Sequence, residues 1–298
     1  MDNPVIRRAY AELHSAVFLF GFTGILGRLI SLQAGVLVWH RLWMTALMMY
    51  LLTRLSGSFR LLSKAETLRL SLFSLAITFH WLLFYQTIKV AGVSVAMICL
   101  SAIAFFSALL EPLILRKSLS KTHLFFSSLV IAGIWLMVGT QHSALNGILL
   151  GLAAAFFSAL FTVLNKTVVH KYDVRLLTLY ELSAGFVALS ILLPLMNSYW
   201  PTGNFIPNAS DWLYLFLLSS FCTVLAFSLS IKSLKVLSPF SVNLAINLEP
   251  VYGIALAFWL FNEYELFGPN FYWGAALIFL AVSGDILLTY LQNKTPQH

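Results

Sequence analysis

Charge is scarce in this sequence, and so is cysteine. Only 10% of the 298 residues are Asp, Glu, Lys or Arg, whereas these residues make up about a quarter of a soluble domain. An ordinary soluble domain is therefore excluded. The two cysteines, Cys99 and Cys222, lie in apolar segments without a metal-binding or redox spacing. We interpret both as small buried hydrophobic residues.

The sequence also lacks the motifs of soluble catalysis. It contains no nucleophile elbow, no glycine-rich phosphate loop and no His/Cys metal-binding pattern. We therefore expect that the protein is not an enzyme and that it holds no metal and no cofactor. We also expect no ATP hydrolysis within the chain.

Hydrophobic residues, by contrast, make up 60% of the sequence. They form ten apolar segments, and a membrane-spanning helix needs about 20 such residues. This pattern predicts an all-α integral membrane protein with ten transmembrane helices. The predicted spans cover residues 10–30, 33–55, 68–88, 92–115, 122–140, 145–166, 176–197, 211–231, 238–261 and 269–290.

The formal net charge of +7 indicates membrane topology rather than nucleic-acid binding. Of the 18 Lys and Arg residues, 15 fall in the N-terminus, the even-numbered loops and the C-terminus. Cytoplasmic loops of membrane proteins are enriched in Lys and Arg, so both termini are expected in the cytoplasm. The short loops suit a bacterial inner (plasma) membrane. The lipid bilayer is the expected partner, nucleic acid is not, and the oligomeric state stays open.

Two segments repeat at a separation of about 146 residues. Residues 89–101 read KVAGVSVAMICLS and residues 235–247 read KVLSPFSVNLAIN. Each segment begins the fourth span of its half, so the chain divides into repeats of five spans at 1–142 and 143–298. An odd number of spans inverts the second repeat relative to the first. Inverted repeats are typical of secondary transporters that bind substrate near the membrane midplane.

The stretch 230–287 contains Leu-Glu-Pro-Val at 248–251, a glutamate at 263 and Gly-Ala-Ala-Leu-Ile at 274–278. It resembles the second repeat of the EamA-like branch of the drug/metabolite transporter superfamily. The first half matches more loosely, through Arg41 and the turn at 89–93, and has Arg116-Lys117 where the family often has Gly-Glu.

The resemblance implies a ten-helix permease that works by alternating access on small polar or amphipathic metabolites. Efflux of amino acids or related compounds is the first expectation that it gives. Proton coupling and uniport both stay open. Two other classes also stay open: a non-transporting membrane subunit or sensor, and an intramembrane enzyme acting on lipid-linked substrates. Such an enzyme should gather its acids and histidines at one membrane face, whereas here they are scattered through the predicted depth.

Charged residues inside apolar spans are the first site candidates, because each is costly there unless it faces a cavity or a partner. Glu249 lies near the middle of its span and precedes Pro250, which removes a backbone donor. Glu249 either contacts substrate or has a structural or gating role. Arg41 either binds a substrate carboxylate or permanently pairs with an acid such as Glu249 or Glu181. Polar residues on two faces of the ninth span indicate that it is central: Asn243, Asn247 and Tyr252 are further cavity candidates.

The third predicted helix carries polar and aromatic residues at steps of three and four. We expect Thr78, Trp81 and Tyr85 to line the substrate cavity, with helix packing as the alternative. His80 is either a cavity residue or a hydrogen-bonded buried histidine.

Pro250 is itself a gating or structural candidate, and the other such candidates lie elsewhere. Gly21 and Gly24 would let helices approach closely and slide. Glu111 either pairs with Arg116 or Lys117 at an inner gate or stays solvated, and Asp285 can pair with an inside-loop lysine.

Overall fold

The computed structural model describes residues 4–138, 145–196, 203–266 and 268–294. All regular secondary structure in these ranges is helical. The α-helices are α1 (Pro4–Leu29), α2 (Ala34–Leu55), α3 (Lys64–Ala91), α4 (Val93–Leu100), α5 (Ile103–Leu115), α6 (Lys121–Val138), α7 (Leu145–Lys166), α8 (Val174–Met196), α9 (Ala209–Ser219), α10 (Ala226–Ser233), α11 (Pro239–Ile246), α12 (Glu249–Phe261) and α13 (Pro269–Lys294).

Eight stretches in this part of the chain are long and apolar enough to cross a membrane. They are α1, α2, α3, the pair α4–α5, α7, α8, the α9–α10 stretch and the pair α11–α12, while α6 has a shorter apolar stretch at Lys121–Leu136. Large apolar side chains such as Leu55, Leu113 and Trp259 point away from the bundle. A surface of that kind suits lipid, and the chain is a multi-pass membrane protein.

Two of these stretches are broken at equivalent places, where the sequence alone predicted continuous helices. In the first, eight residues of α4 are followed by a turn at Ser101–Ala102 and 13 residues of α5. In the second, eight residues of α11 are followed by a turn at Asn247–Leu248 and 13 residues of α12. Every boundary is related by the same 146-residue offset that the sequence repeat has.

A third irregularity interrupts the stretch between α9 and α10. Residues Ser220–Leu225 form a π-helix, and the hydroxyl of Thr223 donates to the carbonyl of Leu218, five residues earlier, at 2.8 Å. Such bulges occur often at functional sites. Here the bulge helps to turn Thr223 toward the interior of the bundle.

The two ends of the bundle differ in charge. At one end lie the α2–α3 and α7–α8 connections with Arg60 and Lys171, and we call it the basic face. The other end, the opposite face, includes the α1–α2 connection, where Ser31 donates its backbone N–H and its hydroxyl to the carboxylate of Asp211, both at 2.7 Å.

Helix α1 packs closely against both broken stretches. A Cβ atom at Gly21 would lie 2.8 Å from the Cβ of Tyr252 on α12, and one at Gly24 would overlap the methyl of Met97 on α4. These two glycines therefore permit the close approach of α1 to both broken stretches.

Candidate functional site

A cavity of about 70 Å³ lies at the centre of the bundle, among α1, α2, α3, α7, α10 and the two broken stretches. Its apolar wall is rich in aromatic rings, with Phe161 stacked on Phe227 at 5.4 Å and Trp81 tilted against Phe227 at 5.9 Å between ring centres. Its polar wall consists of Thr23, Arg41, His80, Ser158, Thr162, Ser230 and Glu249.

Arg41 is held on three sides and is only 2% exposed. Its Nε donates to the hydroxyl of Thr223 and its Nη1 donates to the hydroxyl of Tyr85, both at 2.9 Å. The guanidinium carbon lies 3.7 Å from the centre of the Trp81 ring, a cation–π contact. Nη2 has no hydrogen-bond partner in the described ranges. It is not fully buried, and Arg41 lines the cavity. One edge of a fixed guanidinium thus remains available.

Glu249 approaches the cavity from the start of α12. The turn at Asn247–Leu248 makes this carboxylate the first residue of a new helix, where the helix dipole favours negative charge. Oε1 accepts a hydrogen bond from Thr23 at 3.1 Å. Oε2 has no hydrogen-bond partner among the residues described. It is not fully buried either, and Glu249 lines the cavity. No ion pair joins Glu249 to Arg41 within 4.0 Å.

His80 is one of the residues that line the cavity. Its Nδ1 lies 2.9 Å from the carbonyl oxygen of Ala154 on α7. The ring stacks on Phe84, with 6.0 Å between centres and 21° between planes. Both ring orientation and side-chain position are therefore fixed by neighbours on α3 and α7.

The structure brings Glu249, Arg41, Trp81 and His80 together, but it does not bring every predicted residue to the cavity. The remaining cavity candidates, Tyr85, Thr78, Asn243, Asn247 and Tyr252, are absent from its lining.

Tyr85 lies behind Arg41 as a hydrogen-bond acceptor, so its role is to hold the guanidinium. The Thr78 hydroxyl donates its hydrogen to the carbonyl of Ser74 at 2.8 Å, within α3. Tyr252 is 39% exposed and packs edge-on against Phe18 at 5.8 Å. It faces α1 and the surface of the bundle instead of the cavity.

Asn243 and Asn247 are buried beside the turn between α11 and α12, and their amide atoms have no hydrogen-bond partner within the described ranges. Pro250 lies in the first turn of α12, where its missing N–H removes no helical bond. The side chain of Asp285 lies outside the described residues.

Glu111 connects the two broken stretches at the basic face. Its Oε2 accepts from the backbone N–H of Phe240, in the first turn of α11, at 2.8 Å. Its Oε1 accepts from Lys117 Nζ at 2.8 Å. Of the two cations considered from the sequence, Lys117 is the partner, while Arg116 ends α5 with a left-handed backbone (φ 54°). We call this arrangement the Glu111 contact.

Glu263 makes the equivalent connection at the opposite face, just after α12. Oε1 accepts from the backbone N–H of Val93 at 3.0 Å, and Oε2 accepts from the backbone N–H and the hydroxyl of Ser94 at 2.8 and 2.6 Å. Gly92 precedes them with φ 89°, and a Cβ there would lie 3.1 Å from Oε1. We call this arrangement the Glu263 contact.

Sequence reasoning missed the roles of Thr23, Thr223 and Glu263. The first two are single hydroxyl residues in apolar segments, and the sequence does not mark the bulge that turns Thr223 inward. Glu263 belongs to the resemblance to the EamA-like family, but its contact with the start of α4 was not predicted. The sequence repeat could have indicated this role. Glu263 lies 146 residues after Lys117, and the two residues occupy equivalent positions after α12 and α5.

Charged groups that converge on a cavity inside a helical membrane bundle are typical of secondary transporters. The model of the EamA-like transporter family matches residues 10–139 and 145–284. The chain belongs to the EamA-like transporter family.

A crystal structure whose title says only "Crystal structure of protein" matches with a TM-score of 0.69 and 14% identity, over 97% of this chain and 99% of that chain. It shows a shared fold. No curated protein matches the sequence.

Proposed function

We propose that the protein is a secondary transporter that exports a small amphoteric metabolite, an amino acid or a closely related compound, by alternating access. One observation carries this proposal. Arg41 and Glu249 direct unpaired polar atoms into the same cavity without pairing with each other. Both charges lie in the apolar interior, where each is costly without compensation.

A zwitterion supplies the missing compensation for both charges at once. Its carboxylate fits the free edge of the Arg41 guanidinium, because planar guanidinium groups bind carboxylates well. Its ammonium group fits Oε2 of Glu249. The apolar part of the molecule then contacts the rings of Trp81, Phe161 and Phe227, which give affinity through buried apolar area.

The size of the cavity supports a transport cycle with moving walls. A volume of about 70 Å³ is less than the roughly 150 Å³ that accommodates a benzene ring. Binding of an amino acid therefore requires the helices to separate. A site that must open in order to bind is expected of alternating access.

We propose that the Glu111 and Glu263 contacts are the two gates. Each ties the first turn of a short helix in one half of the chain to a carboxylate from the other half. Releasing one contact while keeping the other would open the cavity to one side of the membrane. Charge-assisted bonds to backbone N–H groups suit this role, because they are strong in a dry interior and water can replace them.

The same geometry supports ten transmembrane helices in two inverted repeats. The equivalent half-helices α4 and α11 begin at different ends of the bundle, which an inversion requires. With the basic face in the cytoplasm, as the positive-inside rule favours, both termini are cytoplasmic and the membrane is the plasma membrane. Glu249 is the carboxyl through which a proton can couple to transport, and uniport is the alternative.

Proteoliposomes test the function. The purified protein is reconstituted and efflux of a radiolabelled amino acid panel is followed with and without a pH gradient, beside Arg41→Gln and the exposed control Arg54→Gln. We expect saturable flux that Arg41→Gln abolishes and Arg54→Gln leaves unchanged. Acceleration by the pH gradient would indicate proton coupling, and indifference to it would indicate uniport. Absence of flux for every amino acid under either condition would contradict the proposal.

A further inference from the structure

We propose that His80 selects substrates whose apolar side chain carries a hydrogen-bond donor, such as an indole N–H or a phenol O–H, by accepting that hydrogen at Nε2. The inference rests on the proposed function and adds a third recognition point to it. Arg41 and Glu249 recognise the two charges that all amino acids share, so they cannot distinguish one side chain from another. His80 can.

The hydrogen-bond partner of Nδ1 fixes the chemistry of the ring. A backbone carbonyl only accepts, so the contact of 2.9 Å between Nδ1 and the oxygen of Ala154 places the hydrogen on Nδ1. Nε2 of the neutral ring then carries a lone pair. A second proton would put another positive charge in the same dry cavity as Arg41, where like charges repel strongly. His80 therefore offers an acceptor to the cavity.

That acceptor is not used by the protein itself. Nε2 has no hydrogen-bond partner in the part of the chain that the structure describes, and it is not among the fully buried polar atoms. His80 lines the cavity, so the lone pair is open to a ligand. The contact with Ala154 and the stacking on Phe84 favour this orientation of the ring.

The acceptor also lies where a substrate side chain has to go. A zwitterion bound between Arg41 and Glu249 places its apolar part against the aromatic wall, and Phe84 belongs to both that wall and the His80 stack. A side chain without a donor would leave the Nε2 lone pair buried without a hydrogen-bond partner. Leaving a buried polar group unpaired in this way is what produces strong discrimination between close analogues.

The test uses two pairs of probes: tyrosine against phenylalanine, which lacks the phenol hydroxyl, and tryptophan against 1-methyltryptophan, in which a methyl group replaces the indole hydrogen. Binding to the reconstituted protein is measured for wild type and for His80→Phe, which keeps an aromatic ring against Phe84 and removes both nitrogens. We expect wild type to prefer the donor-bearing member of each pair by about ten- to a hundredfold. In His80→Phe both preferences should disappear, because the affinity for phenylalanine is kept or raised while that for tyrosine falls.

The possible outcomes are separable. Equal affinities within both pairs in wild type would overturn the inference and leave the proposed function intact. Loss of all four affinities in His80→Phe, after the wild-type preference has been seen, would assign His80 a packing role and also overturn it. If His80→Phe does not fold, the wild-type ratios decide alone. Absence of binding for all four probes in wild type would remove the proposed function and this inference with it.

Discussion

Glu111 and Glu263 lie at opposite ends of the bundle, and each binds the first turn of the short half-helix that belongs to the other half of the chain. Glu111 accepts from Phe240 at the start of α11, and Glu263 accepts from Val93 and Ser94 at the start of α4. This exchange of contacts makes the two ends chemically similar while leaving them independent. Each can therefore be weakened by itself.

Glu263→Gln should open the cavity toward the opposite face. The amide keeps an oxygen acceptor but loses the charge, and hydrogen bonds to charged groups contribute about 1.5–3 kcal/mol. Access is measured by labelling a single cysteine at the cavity residue Ser158, in a background where Cys99 and Cys222 are alanine, with a membrane-impermeant thiol reagent. We expect faster labelling from the opposite face. The exposed neighbour Glu265→Gln is the control, and equal labelling in the two variants would contradict the gate.

Glu111→Gln should have the mirror effect, with faster labelling of the same cysteine from the basic face. Lys117→Gln should have a smaller one, because Lys117 is half exposed and exposed ion pairs contribute only about 0–1 kcal/mol. Lys121→Gln, on the exposed start of α6, serves as the control. A larger effect for Lys117→Gln than for Glu111→Gln would show that the ion pair, and not the bond to Phe240, closes this end.

Gly92→Ala should destabilise the protein more than Gly57→Ala does. Both glycines have a positive φ, 89° and 68°, so alanine is strained at each position. Gly92 also has ψ 170°, a backbone region that is essentially restricted to glycine, where a strained residue costs about 1–3 kcal/mol. A Cβ at position 92 additionally meets Glu263 Oε1 at 3.1 Å, while one at position 57 meets nothing within 4 Å. Thermal unfolding in detergent measures the difference. Equal melting temperatures would show that the Glu263 side chain can move away from the added Cβ without loss of stability.

Thr223→Val should impair transport without disturbing the fold. Valine has the shape of threonine but accepts no hydrogen bond, so Nε of Arg41 loses its acceptor and the guanidinium is held only by Tyr85 and Trp81. We expect the apparent substrate affinity to fall by about tenfold, the equivalent of one buried hydrogen bond. Thr53→Val, at a buried threonine whose hydroxyl donates to the carbonyl of Met49 within α2 and which does not line the cavity, is the control. An unchanged affinity in Thr223→Val would mean that the free edge of Arg41 needs no such support.

Much of the membrane architecture can be predicted from the sequence, because apolar length and loop charge are local properties. The repeat can also be predicted, since Lys89 and Lys235 begin matching segments. The turns at Ser101–Ala102 and Asn247–Leu248 could not be, because both occur inside runs apolar enough to be continuous helices. Those turns place Glu249 at a helix start and bury Asn243 and Asn247 away from the cavity.

Charge in an apolar span was a sufficient signal to predict that Arg41 and Glu249 line the cavity. The orientation of a side chain was harder to predict than the position of its residue in a helix. Thr78 and Tyr85 lie on the stripe expected from helical spacing, yet neighbours on α3 and α2 use their hydroxyls. Which way a side chain points depends on the helices around it, and a single sequence does not contain that packing.

The central claim is that Arg41 and Glu249 recognise the two charges of one small molecule. The most direct measurement is the binding of an amino acid, its amide and its desamino analogue to wild type, Arg41→Gln and Glu249→Gln. We expect that wild type prefers the zwitterion, that Arg41→Gln no longer distinguishes it from the amide, and that Glu249→Gln no longer distinguishes it from the desamino acid. If both variants bound all three compounds in the wild-type order, recognition of the two charges by Arg41 and Glu249 would be contradicted.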